Sequence, residues 1–272
     1  MDRTTPAGEA EEAQRILDME VPSSKRTLGP LLGRAFRWLG IAFVAFHMLV
    51  LLVYPIDPTI TRPVHVYVGA IIGLGLFAAT PKSRLDTIAW YDWLLIACCV
   101  GIVAHFALDA DGIEMRAFMG PNERDTVVGV AALLILLEFA RRTAGLAMPI
   151  IAIVFITYIF AGPWLPGALY HTGVPWRDAV NFLAGTEGIF GITTSVSSTF
   201  IIMFVTFAAF LQTSKAGDFF NDLAMGLVGW ARGGPAKVAV VSSSMFGAVS
   251  GSSVANVVAS GTFTIPMMKR GG

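Results

Sequence analysis

The sequence predicts an all-α integral membrane protein, with about six transmembrane helices followed by a re-entrant helical hairpin. Three observations predict it. Hydrophobic residues make up 55% of the 272 and charged residues only 14%, whereas a soluble domain is about a quarter charged. The apolar residues gather in runs of membrane-crossing length, a helix needing about 20 residues to span the hydrocarbon. The last apolar stretch, 236–268, is too long for one crossing and has basic residues at both ends.

Residues 1–33 are polar and mixed in charge, and read as a cytoplasmic tail before an uncleaved signal anchor. The candidate spans are 38–54, 64–79, 88–108, 126–140, 144–161 and 189–211. Lysine and arginine set the orientation. Lys25, Arg26, Arg34 and Arg37 precede the first span, Lys82 and Arg84 follow the second, Arg141 and Arg142 the fourth, and Lys215 the sixth. If every span crosses once, these lie on one side, which places the N-terminus in the cytoplasm. The opposite connections are poorer in positive charge, and Pro163, Trp164, Tyr170, Pro175 and Trp176 suit an outer membrane interface. The construction changes after the Arg141–Arg142 turn, so a domain boundary is expected near Thr143, separating a four-helix domain (34–143) from a second region (144–272). Formal net charge is zero, and nothing calls for nucleic acid.

Between Asp218 and Trp230 polar and apolar residues alternate as in a short interfacial helix, stopped by Arg232, Gly233, Gly234 and Pro235. The hairpin follows. Arg232 and Lys237 precede it and Lys269 and Arg270 end it, so a chain that goes in and returns keeps both pairs on the cytoplasmic side. Each arm of about a dozen residues extends ~18 Å, past the bilayer midplane. The tip would be Ser250, Gly251, Ser252 and Ser253. The first arm would end in free carbonyls near Ser250 and Gly251 that suit a cation, and the second would open with amides from Ser252 to Asn256 that suit an anion. Broken helices of this kind form ion and substrate sites in secondary transporters; close packing of small residues is the plainer explanation.

A second polar group is Thr193, Thr194, Ser195, Ser197, Ser198 and Thr199, with Thr193 and Ser197 as candidate lining residues. These hydroxyls either line a path or bond back to their own helix. Glu138 is expected to pair with Arg141 and Arg142 at an interface. Asp92, between Tyr91 and Trp93, reads as interfacial, the lone mid-span histidines His47 and His105 as hydrogen-bonded packing residues rather than ligands, and Glu187 as a solvated loop acid. Cys98 and Cys99 read as small packing residues without ligand spacing. A serine-protease reading of Ser250–Gly251 lacks a base, since no histidine lies in the hairpin; no enzyme is expected.

The string GAVSGSSVANVVASGTFTIPMMKRGG (247–272) resembles the signature of the large membrane subunit of TRAP transporters, the tripartite ATP-independent periplasmic family. EGIFGITTSVSSTFIIMFVTFAAFLQTS (187–214) is similar more weakly. The four spans before Thr143 look like the small TRAP subunit fused to the large one, as in permeases of the TAXI branch. The resemblance implies two inverted repeats, each with a hairpin, in an elevator-type transporter driven by sodium and taking organic acid anions from a soluble periplasmic binding protein in the bacterial inner membrane. With no carboxylate in the hairpin, sodium would be held by the Ser250 and Gly251 carbonyls, helped by Ser252, Ser253 and Asn256. It also implies a second repeat beyond Gly272, so the chain is expected to be a truncated product or a fragment, inactive alone. The alternatives are a stand-alone sodium-coupled anion symporter and a non-transporting membrane scaffold subunit.

Overall fold

The computed structural model describes residues 25–80, 83–214 and 216–250. The described residues are helical, apart from loops and an isolated bridge between Lys25 and Phe77. The chain divides into two compact units, one spanning Ser24–Ile201 and the other containing the helices from Ile202 onward.

In the first unit, α1 (Pro30–Leu52) starts on a proline, whose missing N–H costs nothing in a first turn. α2 (Pro58–Leu76) starts where Asp57 accepts the Thr59 N–H at 2.6 Å. It therefore begins before the predicted residue 64. Thr59, Thr61 and Arg62 hide its first turns from a hydropathy reading, and Pro63 sits inside it. α3 (Trp90–Leu108) matches its predicted span closely. α4 (Ala110–Met119) is a short helix before α5 (Glu123–Ala144), which opens with a reciprocal capping box between Asn122 and Asp125. α6 (Ala147–Ala161) leads through two 3₁₀ turns to α7 (Trp176–Leu183), with Trp164, Tyr170 and Trp176 exposed along the way. α8 (Ile192–Val196) runs into a π-helical turn, Ser197–Ile201, that ends the unit.

Among the described residues, five helices are long and apolar enough to cross a membrane: Pro30–Leu52, Pro58–Leu76, Trp90–Leu108, Ala147–Trp164 and Ile192–Phe210. The fourth predicted span, 126–140, lies in α5. Its 22 residues reach about 33 Å, but charges at both ends leave a shorter apolar middle. The core follows helical spacing, with Tyr67, Ala70 and Leu74 of α2 against Ile96, Cys99 and Ile102 of α3 and Ala132 and Ile135 of α5. Glycine permits the close approach: a Cβ at Gly73 would stand 2.1 Å from the Phe139 ring. The other faces carry exposed apolar side chains, as on α6, where Val154 is 60% and Phe155 66% exposed. Water does not tolerate an apolar surface that continuous, and lipid is its natural solvent.

A buried ionic clasp closes the end where α2 and α5 finish and α3 begins. Asp92, in the first turn of α3, hydrogen-bonds Arg26 and lies 2.7 Å from Arg142 Nη2, an ion pair rather than an aligned hydrogen bond. All three side chains are at most 1% exposed. Arg142 and Arg141 also hold Glu138, each at 2.7 Å. The guanidinium groups do a second job at the C-terminal end of α2. Arg26 donates to the carbonyls of Leu74 and Gly75, Arg142 to Phe77 and Arg141 to Ala79. Those carbonyls lack helical partners and carry the negative end of the dipole. The Glu138 pairing is as the sequence predicts. Asp92, expected at an interface, sits in the first turn of its helix and is fully buried within the protein, because partners 66 and 50 residues away reach it.

In the second unit, α9 (Ile202–Thr213) precedes α10 (Ala216–Val228) and α11 (Gly234–Ser250). α10 is the expected amphipathic segment. It packs on α11 through Ala224 and Val238, both fully buried, and through a buried hydrogen bond from the Ser242 hydroxyl to the Asn221 side chain. The break between them is glycine-dependent. Gly233 has φ +70°, and a Cβ on Gly234 would stand 2.1 Å from the Gly229 carbonyl oxygen. α11 covers the residues expected to form the first arm of the hairpin. Its tip and second arm, from Gly251, lie outside the described residues.

Candidate functional site

The first unit places a polar layer inside its lipid-length helices. Arg62, one turn into α2, donates to the Phe190 carbonyl at 2.7 Å and to Ser195 Oγ at 3.3 Å. His65, a turn deeper, joins His47 of α1 at 3.0 Å and Ser197 Oγ at 2.9 Å. The Phe43 carbonyl, 2.8 Å from His47 Nδ1, can only accept. With both rings neutral the chain then has one direction: His47 Nδ1–H donates to Phe43, His65 Nδ1–H donates to His47 Nε2, and the Ser197 hydroxyl donates to His65 Nε2. Depth agrees on all three helices. His47, His65 and Ser197 each lie five to seven residues, about 8–11 Å, from the same end of their helices.

The hydroxyl row shows the expected bonding back to its own segment and a second role, bonding between helices. Ser195 and Ser197 reach across to α2. Thr194 bonds back to the Ile189 carbonyl, and the Ser198 and Thr199 hydroxyls donate to the Ser195 carbonyl at 3.1 and 2.7 Å. Those two bonds occupy a carbonyl at the π turn, where the regular ladder is shifted. Thr193 is exposed. Of the predicted site residues, Ser250 ends α11, and Gly251, Ser252, Ser253 and Asn256 lie outside the described residues. His47 is hydrogen-bonded, as expected, and forms one end of a three-residue chain because His65 sits on the neighbouring helix. His105 lies 3.2 Å from Asp125. Arg62 and His65 are the residues the sequence reading missed. Two ionisable side chains three residues apart within a lipid-length helix were the available signal.

At the end opposite the clasp, α2 to α5, α7 and the 184–190 loop enclose a cavity of about 660 Å³. Glu114, Asp125, Asp178 and Glu187 line it, with Arg116 as its only guanidinium among the described residues. Arg116 is held by Asp125 at 2.6 and 3.0 Å and by Asp109 at 2.7 Å. The hydrogen bonds that Arg116 donates to Asp125, and then to Asp109, raise its pKa further. Burial pushes the Asp125 carboxyl up, but the Arg116 and Asn122 bonds outweigh it and hold it below its usual range. Glu187 is exposed, as predicted, but on a cavity wall rather than a plain loop. Among the described residues no group of three or more His, Cys, Asp or Glu is placed to hold a metal ion.

These features define a multi-pass helical membrane protein with ionisable and hydroxyl side chains hydrogen-bonded between its spans. The chain belongs to the family of the DctM component of the tripartite ATP-independent periplasmic transporters, which matches residues 131–272, just over half of it. A curated relative, the C4-dicarboxylate TRAP transporter large permease protein DctM of Vibrio cholerae serotype O1, is 40% identical over 72 residues. That match covers 26% of this chain and 16% of the relative, so the chain spans about a sixth of that protein's length. No solved structure matches the chain significantly.

Proposed function

We propose that this chain is the membrane permease part of a sodium-coupled, binding-protein-dependent secondary transporter that imports organic acid anions across the bacterial inner membrane. The observation that carries the reading is the family match, which includes the hairpin string 247–272. The relative's name makes C4-dicarboxylates the first substrates to test. Three of the four predicted spans before Thr143, 38–54, 64–79 and 88–108, lie ahead of the match, and the fourth, 126–140, overlaps its start at residue 131; an added small subunit of TAXI type would account for the first three. α11 supplies the first arm of the proposed hairpin, whose tip would move with an elevator domain.

The test is uptake of a labelled C4-dicarboxylate by the complete permease in proteoliposomes under an inward sodium gradient. Uptake is expected only when the soluble binding protein is added outside. Equal uptake without that protein would make the permease a stand-alone symporter, and no uptake under either condition would leave a scaffold subunit.

The proposed orientation has its own test. In a background lacking Cys98 and Cys99, single cysteines at positions 82, 215 and 269 should resist an impermeant thiol reagent added outside, while cysteines at 111 and 172 should react. Ready external labelling at 269 would remove the hairpin.

A further inference from the structure

We propose that the outer cavity of the first unit is a seat for an organic cation, a primary ammonium or guanidinium group on an apolar stem. Charge and shape point to the same ligand class. The lining has four carboxylates to one guanidinium, and that guanidinium is already bound by Asp125 and by Asp109. Asp178 and Glu187 take part in no ion pair among the described residues. Glu114 accepts a hydrogen bond from the Thr59 hydroxyl at 3.0 Å, which turns one oxygen toward α2 and leaves the other open. The cavity therefore carries a net negative charge that the fold does not itself neutralise, and it repels the anions proposed as transported solutes.

Thr59, His105, Asn181 and Thr186 add polar groups, and most of the remaining wall is apolar. Phe106, Phe182, Phe190, Ile113 and Val128 line it, and ring faces attract a desolvated cation. Its volume lies within the roughly 300–1,000 Å³ usual for small-ligand sites. A bare metal ion would gain nothing from three phenylalanines, whereas an alkyl stem buries against them while its charged end meets the carboxylates. The seat has a fixed frame. α7 packs on α5, with Asn181 donating to the Thr126 hydroxyl at 3.0 Å and Arg177 pairing with Glu123 at 2.8 Å. A cation on the binding protein and a free organic cation share this chemistry.

The probe is n-butylguanidinium, titrated calorimetrically into the 272-residue chain in lipid nanodiscs, with butanoate and n-butanol as stem-matched controls. Saturable binding is expected for butylguanidinium alone. It should weaken at least tenfold in the Asp178→Asn/Glu187→Gln double variant, decline with added salt, and stay unchanged in Asp86→Asn, an exposed acid paired with Arg84. Neither Asp178 nor Glu187 has a bond in the structure that holds the fold, so the double variant should retain its helical content. Absence of saturable binding, equal binding of n-butanol, or full binding by the double variant would overturn the proposal. A second arm, which rests on the proposed function, assigns the source. Butylguanidinium should inhibit binding-protein-dependent uptake if the cation is a side chain of that protein, and leave it unchanged if the seat takes a free cation.

Discussion

Asp92→Ala is expected to cost about 3–5 kcal/mol of fold stability, the usual consequence of removing one partner of a buried ion pair. The substitution leaves Arg26 and Arg142 facing each other with almost no solvent to screen them. It also loosens the two guanidinium groups that close the end of α2, so the N-terminal strap, α2 and α5 should all be affected. Thermal unfolding of the purified chain in detergent, with Asp92→Ala and Asp92→Asn beside the parent, reads the effect. Glu138→Gln should cost far less, since Glu138 and Arg141 are partly exposed and exposed pairs contribute only ~0–1 kcal/mol. Replacing Arg26, Asp92 and Arg142 together with apolar residues of similar size should recover much of the loss. An Asp92→Ala protein as stable as its parent would mean that the clasp contributes nothing.

Gly251→Val and Asn256→Ala are each expected to raise the sodium concentration for half-maximal uptake by the complete permease at least several-fold. Both act on the proposed tip of the hairpin. A β-branched residue at 251 would restrict a backbone that, in the proposed hairpin, turns at the midplane, and alanine at 256 would remove a polar side chain from the opening turn of the proposed second arm. The proposed ligands are neutral oxygens, which suit sodium; a proton-coupled site would need a titratable group. Surface biotinylation checks insertion, so that a changed sodium response is not confused with a missing protein. If both variants insert and keep the parental sodium dependence, the ion site lies elsewhere.

Local features were legible in the residues themselves. The helices at 88–108 and 144–161 appear close to where the apolar runs stand, and the stop at Arg232–Pro235 falls at a turn that only glycine fits. The start of α2 was not legible by hydropathy, because its opening turns are polar. They are polar for a reason: Thr59 reaches Glu114 at the cavity, and Arg62 reaches the hydroxyl row. A span that carries part of a site is the span that hydropathy underestimates. Asp92 shows the converse. Its neighbours Tyr91 and Trp93 suggested an interface, and nothing nearby in sequence announced two arginines from distant segments.

The sequence by itself determined the solvent and the class of fold, since composition and run length decide whether a helix prefers lipid to water and depend on no partner. It also determined the family, through a short string at 247–272 and the helices before it. The tertiary structure decided which ionisable groups meet. His47 with His65 and Ser197, Arg26 with Asp92 and Arg142, and the carboxylates of the cavity opposite the clasp are each joined by the angle and axial depth at which separate helices pack. Those two coordinates are set by side-chain fit along the Tyr67–Leu74 face and by glycines such as Gly73, where one methyl group would prevent the approach.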